Sequence, residues 1–336
     1  MRVQVSPPAQ IDTKDRDLLM SEKNKKPKII VILGPTASGK SDIAVVLAKK
    51  FNGEVISADS RQVYKGLNIG TGKITKKEMR GVPHHLLDVC SPKKRFTASD
   101  FKKLAEIKIE EILKRRNVPI ICGGTGFYID ALLGDKQIPE VPPNHKLREK
   151  LEKKSATELY EILKKLDPER AKNIDAKNPR RLVRAIEICE TIGKVPGLQI
   201  RNYKSEIRNK FKIIKIGIKI PDEKLKKKIN KRIEKWFKMG LLEEVQNLHQ
   251  KGLSWKRMDE IGLEYKLVAN FLRCHLRKKV SKTVFDTLRL KKIMGEKTWQ
   301  YAKRQMTWFK KDKNIIWRAH EDLNPGRSFW RGEFYH

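Results

Sequence analysis

The sequence predicts an α/β fold with a parallel sheet and an inserted all-helical domain. Three observations carry this prediction. Short β-rich runs alternate with helical patterns from Lys28 to about residue 133, and a glycine-rich loop follows the first run. Only helical patterns then occupy the stretch up to about residue 192, after which a strand-like run returns near residue 212. A helical segment therefore interrupts an α/β domain that later resumes.

The strands and helices of the first part follow in regular order. IIVIL (29–33) predicts the first strand, and SDIAVVLAKKF (41–51) predicts the helix that follows it. EVISA (54–58) predicts a second strand. SDFKKLAEIKIEEILKRR (99–116) predicts an amphipathic helix that leads into the strand VPIIC (118–122). Because helices separate the strands, we expect the strands to be parallel and covered by helices.

Proline-rich sequence marks the first domain boundary, since QIPEVPPN carries three prolines in eight residues. Helical patterns follow in HKLREKLEKK, ATELYEILKKL and NPRRLVRAIEICETI, and FKIIKIGIKI then restores a strand signal. The predicted domains are a flexible N-terminal extension (1–27), the first part of the core (28–140), a helical insertion (141–205), and the resumed core with basic C-terminal helices (206–336).

Composition excludes several classes of protein. Hydrophobic residues make up 39% and charged residues 35% of the 336, and no apolar run approaches the roughly 20 residues of a membrane helix. The N-terminal stretch lacks the apolar segment of a secretory signal. The cysteines are far apart, so their spacing predicts reduced thiols and no zinc site; they are Cys90, Cys122, Cys189 and Cys274. We expect a cytoplasmic monomer that does not contact membranes.

The net charge points to a class of partner. Lys and Arg total 76 against 40 Asp and Glu, which gives +36, and the excess is spread along the chain. Such self-repulsion is typical of a protein that binds a polyanion, with RNA or DNA as the obvious candidate. The alternative is a solvated, lysine-rich surface without a specific partner.

The strongest chemical signal is a loop that matches the pattern G-x4-G-K-[ST] between a predicted strand and a predicted helix. Its backbone N–H groups and the helix N-terminus would surround phosphate oxygens. Lys40 would neutralise phosphate charge, and the Ser41 hydroxyl would bind Mg²⁺ as the metal ligand. The core is therefore expected to be P-loop NTPase-like. The predicted diphosphate-binding residues are Gly34, Pro35, Thr36, Ala37, Ser38, Gly39, Lys40 and Ser41.

Two further loops are expected at the same edge of the sheet. Residues 57–64 follow the strand EVI, and Gly123-Gly124-Thr125-Gly126 follows PIIC. Ligands of such sheets bind beyond the carboxyl ends of the strands, so the three loops should meet at one crevice. Asp59 is then placed to act as a general base or to orient a nucleophile. The alternatives are a helix N-cap at Asp59 or Ser60 and a tight turn at the glycines.

Eight motifs occur in one order from about Lys28 to Trp317: GPTASGKSDIAVVLA, VISADSRQVYKGLNIGTGK, PHHLLDV, FTASDF, PIICGGTGFYIDALL, NPRRLVRAIE, GLLEEV and YAKRQMTWF. Together they resemble the tRNA dimethylallyltransferases. The resemblance implies that the loop holds dimethylallyl diphosphate rather than ATP. It also implies that the prenyl group moves to N6 of the adenosine 3′ of the anticodon (position 37) in tRNA. The implied catalytic residues are Asp59 as general base, Thr125, Lys40 and Arg232, with Mg²⁺ as cofactor.

The same resemblance implies which residues bind the tRNA anticodon stem-loop. They are Asp59, Ser60, Arg61, Gln62, Arg180, Arg181, Leu182, Val183, Arg184, Lys303, Arg304 and Gln305. Taken alone, the arginines of 180–184 are equally typical of a solvated helix face. The stripe of Tyr301, Arg304, Gln305 and Trp308 is equally typical of a core-facing helix.

Some positions depart from the family pattern. Lys228 stands where the first Arg of R-I-x-x-R-V is usual, so it would hold the diphosphate as a point charge without a planar fork. Trp299 stands where Arg is common, and 261–266 is a variant of the usual Ile-Gly-Tyr. Three alternatives stay open: a prenyltransferase that acts on free adenine nucleotides, a P-loop small-molecule kinase, and a catalytically silent RNA-binding protein.

Overall fold

A computed structural model describes residues 26–134, 138–196, 206–278 and 283–323 of the chain. The chain divides into two compact units, of which the larger comprises Met1–Leu132 with Glu206–His336 and the smaller comprises Leu133–Ser205. Of the predicted N-terminal extension, residues 1–25 lie outside the described part. Among the described residues, no helix has both the length and the apolar character that crossing a membrane requires.

A six-stranded parallel sheet forms the centre of the larger unit. In chain order the strands are β1 (Lys28–Leu33), β2 (Gly53–Ser57), β3 (His84–His85), β4 (Val118–Gly123), β5 (Lys212–Lys219) and β6 (Ile315–Ala319). Their spatial order is β3-β2-β4-β1-β5-β6, and each pairs in parallel with its neighbours. The predicted α/β class with a parallel sheet is confirmed.

The burial of the central strands explains why their sequences are continuous apolar runs and do not alternate between apolar and polar residues. Every residue of β1 and of β4 is buried, as expected for parallel strands that are covered on both faces. Val31 pairs with Ile121 and Ile30 pairs with Ile214, which places β1 between β4 and β5. Strands therefore extend from β1 in both directions, and such a reversal of strand order leaves a crevice at the carboxyl ends.

Fourteen α-helices are present in the described part of the chain. They are α1 (Lys40–Phe51), α2 (Lys76–Met79), α3 (Ala98–Lys114), α4 (Gly126–Leu132), α5 (His145–Leu151), α6 (Ala156–Leu166), α7 (Pro168–Lys172), α8 (Pro179–Ile192), α9 (Glu206–Lys210), α10 (Asp222–Lys238), α11 (Leu241–Gln250), α12 (Trp255–Ile261), α13 (Leu263–Lys278) and α14 (Val284–Phe309). Several begin at sequence-encoded caps. Thr97, for example, caps α3 in a reciprocal pair with Asp100.

The last strand, β6, is one that the sequence analysis does not predict. It pairs with β5 from Lys215↔Ile315 to Lys219↔Ala319. Its sequence, IIWRA, is only five residues long and follows a long helix, so it is too short to give a clear period. The strand forms because β5 offers an edge to pair with, which is a tertiary contact and leaves little local signal.

The smaller unit is all-helical in its described residues and contains α5 to α8. It begins at Leu133, whereas the predicted insertion begins at 141. Its core packs Leu159 and Leu163 of α6 against apolar residues of α8. Leu182 is fully buried and Val183 is 7% exposed in this core. Both are predicted to bind tRNA, and burial of their side chains leaves their backbone as the part available for such a contact.

A buried carboxylate ties the smaller unit together. Glu187 of α8 is 0% exposed and accepts hydrogen bonds from Nε and Nη2 of Arg148 at 2.8 and 2.7 Å. It also accepts from Arg184 Nη1 at 2.5 Å and from the Asn144 N–H at 2.7 Å. Arg184 donates further to the Val141 carbonyl at 2.9 Å. The guanidinium of Arg184 thus forms hydrogen bonds within the unit, while its side chain remains 33% exposed.

We expect Glu187→Gln to weaken the smaller unit by about 3 kcal/mol, since breaking a buried ion pair leaves its partner charges uncompensated. Burial alone would raise the pKa of Glu187, but hydrogen bonds from Arg148, Arg184 and Asn144 lower it below 4.5. The contribution is therefore present at neutral pH and is lost as the pH falls through the lowered value. Hydrogen exchange of the α8 amides measures it. Glu190→Gln, at an exposed position of the same helix, should leave exchange unchanged; equal exchange in both variants would contradict the prediction.

Candidate active site

The loop between β1 and α1 turns sharply where the phosphate-binding pattern requires it. Gly39 has a left-handed backbone with φ of 90° and forms the N-cap of α1. Ala37 also has positive φ, at 61°. The Lys40 ammonium donates to the Pro35 carbonyl at 2.6 Å, so it lies over the loop that precedes it. The left-handed conformation at Gly39 explains the need for glycine at that position.

The loops after β1, β2 and β4 converge as the sequence predicts. The Thr125 hydroxyl accepts from the Ser60 N–H at 3.0 Å, which joins the second loop to the third. Gln305 of α14 joins the first loop to the third. Its Oε1 accepts from the Thr36 N–H and its Nε2 donates to the Gly124 carbonyl, both at 2.8 Å. The three loops thus form one connected frame at the carboxyl ends of the strands.

This frame opens onto a cavity of about 740 Å³. Of the predicted site residues, those in its wall are Thr36, Ala37, Gly39, Lys40, Ser41, Asp59, Gln62, Arg232 and Gln305. Seven Lys and Arg side chains and four Asp and Glu side chains contribute to the described lining. The excess of positive charge suits an anionic ligand. Gly34, Pro35, Ser38, Ser60, Arg61 and Thr125 are not part of this lining.

Asp59 follows β2 and lies in the cavity wall. Its Oδ1 accepts from the Arg61 N–H at 2.8 Å and from the Gln62 N–H at 3.4 Å. These contacts stabilise the turn after β2, where no described helix begins, so the helix N-cap considered as an alternative is not formed. The same carboxylate lies in the wall of the cavity. The contacts to Oδ1 fix the carboxylate, and no described residue donates to Oδ2. Asp59 is the only carboxylate among the predicted catalytic residues.

Arg232 of α10 reaches the loop between β1 and α1. Its Nη1 donates to the Thr36 hydroxyl and its Nη2 donates to the Thr71 carbonyl, each at 3.2 Å. The guanidinium carbon lies 4.7 Å from the centre of the Trp236 ring, a cation–π arrangement. A Cβ at Gly72 would overlap the guanidinium, so this close approach requires glycine there. Arg232 is thus held from three sides at the edge of the cavity.

Lys40 is electrostatically unusual. Burial lowers the pKa of its ammonium to about 8, and the nearby Arg232 guanidinium acts in the same direction. The positive charge of Lys40 is therefore costly in the free site. A bound polyanion would favour the charged form and raise the pKa again.

We expect binding of a diphosphate monoester to take up protons above about pH 8, because Lys40 must be charged in the complex. Below about pH 7 Lys40 is already charged, so the uptake should vanish. Calorimetry in buffers of different ionisation enthalpy measures the uptake. Lys40→Arg stays charged at every pH and should abolish the difference between pH 7 and pH 8.5. Identical proton uptake by the wild type at both pH values would contradict the prediction.

The predicted C-terminal residues divide between the interior and the surface. Gln305 is 7% exposed and is engaged by two loops, so its amide faces the protein interior. Lys303 and Arg304 are exposed and lie over the rings of Trp299 and Tyr301, respectively. The Trp308 indole donates to Asp130 of α4 at 2.9 Å. The core-facing alternative therefore describes Gln305, while Lys303 and Arg304 stay accessible.

Sequence reasoning misses a second glycine-rich loop in the wall of the cavity. Residues of 68–75 contribute to the lining, and the loop contacts Arg232 through Thr71. The available signal is GLNIGTGK, which has three glycines within 66–72. This motif contributes to the family resemblance, but nothing local indicates which side chain such a loop meets. Trp236, which stacks on Arg232, likewise lacks a local signal.

Comparison with known proteins assigns the family. A family model described as IPP transferase matches residues 62–312. The chain belongs to the IPP transferase family. A Pelotomaculum thermopropionicum protein named tRNA dimethylallyltransferase is 38% identical over 90% of this chain and 94% of its own length. The tRNA dimethylallyltransferase 2 of Treponema denticola is 40% identical over 89% of this chain and 96% of its own length. The resemblance drawn from the ordered motifs is confirmed.

Solved structures of IPP transferases share the fold. The full-length tRNA isopentenylpyrophosphate transferase of Bacillus halodurans matches with a TM-score of 0.62 and 33% identity, covering 87% of this chain and 89% of that one. A eukaryotic dimethylallyltransferase, described as acting on tRNA, matches with a TM-score of 0.71 and 27% identity. That match covers 89% of this chain and 76% of the other. The α/β fold is therefore that of the IPP transferase family.

Proposed function

We propose that this protein transfers the dimethylallyl group of dimethylallyl diphosphate to N6 of the adenosine 3′ of the anticodon (position 37) in tRNA, releasing diphosphate. One observation carries the proposal beyond family membership. A carboxylate, Asp59, and the cations Lys40 and Arg232 share the wall of one cavity. Prenyl transfer to an amine needs both a group that accepts the amine proton and charges that stabilise the leaving diphosphate.

The phosphate loop fits a diphosphate. Lys40 and Arg232 supply positive charge, and the N-terminus of the twelve-residue helix α1 points its free N–H groups toward the loop. The Ser38 hydroxyl is buried without a hydrogen-bond partner among the described residues. A buried polar atom without a partner is costly, and a bound oxyanion would supply one through small adjustments of the loop.

Mg²⁺ is proposed to accompany the diphosphate. Ser41 and Asp42 are exposed in the first turn of α1 and contribute to the cavity wall. Their hydroxyl and carboxylate oxygens are of the type that Mg²⁺ prefers, and Mg²⁺ is commonly held by one or two such groups together with substrate phosphates. The ion, when bound, would neutralise part of the diphosphate charge. Ser41 is the residue proposed to hold it.

The proposed reaction breaks the bond between the allylic carbon and the diphosphate oxygen, and the bonding electrons leave with the diphosphate. Lys40 and Arg232 stabilise the charge that develops there. The adenosine N6 forms the new bond to carbon, and Asp59 accepts the proton that the amine loses. Thr125 supports this arrangement by fixing the Ser60 N–H beside Asp59. Because an allylic diphosphate ionises readily, we expect the protein to accelerate transfer mainly by positioning the reactants and stabilising charge.

Exposed cations are proposed to hold the tRNA. Arg180 and Arg181 are exposed in the first turn of α8, and Lys303 and Arg304 are exposed on α14. The target adenosine lies in a single-stranded loop, whose bases proteins can extrude and read by their edges. Phosphate contacts from these side chains would orient the stem-loop without reading its sequence.

A transfer assay tests the proposal. Purified protein is incubated with Mg²⁺, labelled dimethylallyl diphosphate and unmodified tRNA with an A-rich anticodon loop, beside AMP and ATP as alternative acceptors. We expect label in tRNA only, at the adenosine 3′ of the anticodon. Label in AMP or ATP alone would assign the protein to prenyl transfer onto free nucleotides. Hydrolysis of ATP without any transfer of label would favour a kinase.

A further inference from the structure

The glycine-rich loop of residues 67–73 is held by an unusual contact from α11. The Glu244 carboxylate accepts three successive backbone N–H groups. Its Oε2 accepts from Asn68 at 3.0 Å and from Ile69 at 2.8 Å, and its Oε1 accepts from Gly70 at 3.2 Å. Oε1 also accepts from the Tyr265 hydroxyl at 2.7 Å. A run of N–H groups that converge on one anion is a strong anchor for a loop.

The anchor is partly sheltered from solvent, since its contacts to Ile69 and Gly70 are half-buried and its contact to Asn68 is exposed. Tyr265 is 1% exposed, and burial together with the nearby Glu244 carboxylate raises the pKa of the phenol. The hydroxyl therefore keeps its proton and donates it to Glu244. Leu241 and Val245, on the same helix as Glu244, are fully buried beside Tyr265 in one apolar cluster. The Glu244 carboxylate is thus held in place by Tyr265 and by the packing of its own helix, independently of its contacts to the loop.

The anchored loop leads directly to Arg232. Just after the three bound N–H groups, the Thr71 carbonyl accepts from Arg232 Nη2 at 3.2 Å. Gly72 lies so close to the guanidinium that a Cβ would overlap it. The other end of the same guanidinium donates to Thr36 of the phosphate loop. A continuous chain of contacts therefore runs from Glu244 through the loop and Arg232 to the phosphate loop.

We propose that Glu244 is a positioning residue for the diphosphate. It fixes 68–70 so that Thr71 and Gly72 hold the Arg232 guanidinium at the phosphate loop. Glu244 is not part of the described cavity lining, so it acts through Arg232 and not on the ligand. The inference rests on the proposed function, since it takes the diphosphate to be the anion that Arg232 meets.

Glu244→Gln tests this role because it keeps the size of the side chain. The amide offers one acceptor oxygen and one donor group, so at least one of the loop N–H groups faces another donor. We expect inorganic diphosphate with Mg²⁺ to bind about tenfold more weakly by calorimetry. The KM for dimethylallyl diphosphate should rise to a similar extent, while the KM for tRNA stays at the wild-type value. A purely structural role would lower the active fraction and leave both KM values unchanged.

Glu243 provides the matched control. It is the neighbouring carboxylate in the first turn of α11 and is exposed. Glu243→Gln removes the same charge from the same helix end, but it leaves the loop contacts in place. We expect this variant to bind diphosphate as the wild type does. Equal binding by the Glu244→Gln and Glu243→Gln variants would overturn the positioning role.

Tyr265→Phe keeps the proposal testable if Glu244→Gln yields no folded protein. It removes one hydrogen bond from Oε1 and leaves the three backbone contacts, so we expect diphosphate binding to weaken about twofold to threefold. Binding equal to that of the wild type would then overturn the role of Glu244.

Measurements on the wild type distinguish failure of the positioning role from failure of the proposed function. If it transfers label to tRNA while Glu244 and Tyr265 variants bind diphosphate normally, only the positioning role fails. If the wild type neither binds diphosphate nor transfers label, both proposals fail.

Discussion

Asp59→Ala should reduce transfer to tRNA by about a thousandfold or more while tRNA binding stays largely intact. General base catalysis by a positioned side chain contributes roughly 10²- to 10⁴-fold, and no other acidic side chain is among the predicted catalytic residues. The carboxylate lies in the cavity wall and is fixed by the Arg61 N–H. Single-turnover transfer and a filter-binding measurement with the same tRNA separate the chemical step from binding.

Asp59→Asn separates a role of Asp59 as general base from its role in stabilising the turn after β2. Asparagine keeps an oxygen that can accept from the Arg61 and Gln62 N–H groups, so the turn after β2 should be preserved. It cannot accept the amine proton at neutral pH, so its activity should be as low as that of Asp59→Ala. Full activity of the Asp59→Asn variant would reduce Asp59 to a residue that stabilises the turn. Ser60→Ala is a useful comparison because the backbone N–H that binds Thr125 remains.

The fold was predictable from the sequence because its main signals are local. Buried parallel strands leave continuous apolar runs such as IIVIL, and the turn into α1 needs a glycine at position 39. Both properties belong to a few adjacent residues. β6 has no such property, since it forms only where β5 already provides an edge.

The sequence predicts site residues that directly follow the end of a strand. It predicts less well those that lie on a helix distant in the chain. Asp59 and Lys40 follow β2 and β1, so topology alone brings them together. Glu244 contacts a loop more than 170 positions earlier in the chain, and no spacing rule connects them. Leu182 shows the opposite difficulty. It lies in a basic motif of the family resemblance, but its own helical position faces the core.

Arg232→Lys should lower kcat/KM for dimethylallyl diphosphate by about a hundredfold, the scale on which one preorganised donor contributes to stabilising developing charge. The guanidinium binds Thr36 and Thr71 at once and stacks on Trp236. A lysine ammonium is a point charge without a planar fork, so it cannot make both hydrogen bonds in the same plane or stack in the same way. Because this substitution conserves the positive charge, the loss of kcat/KM measures the contribution of the guanidinium geometry.

Lys227→Arg is the matched control for Arg232→Lys, because Lys227 is exposed on α10 and lies outside the described cavity lining. It should behave as the wild type. Lys228, one helical turn before Arg232, lies in the cavity wall but is itself a point charge, so it cannot replace the lost fork. Wild-type kcat/KM in the Arg232→Lys variant would mean that positive charge alone suffices at this position. A large loss, with tRNA affinity unchanged, would mean that the protein reads the leaving diphosphate by the geometry of its hydrogen-bond donors.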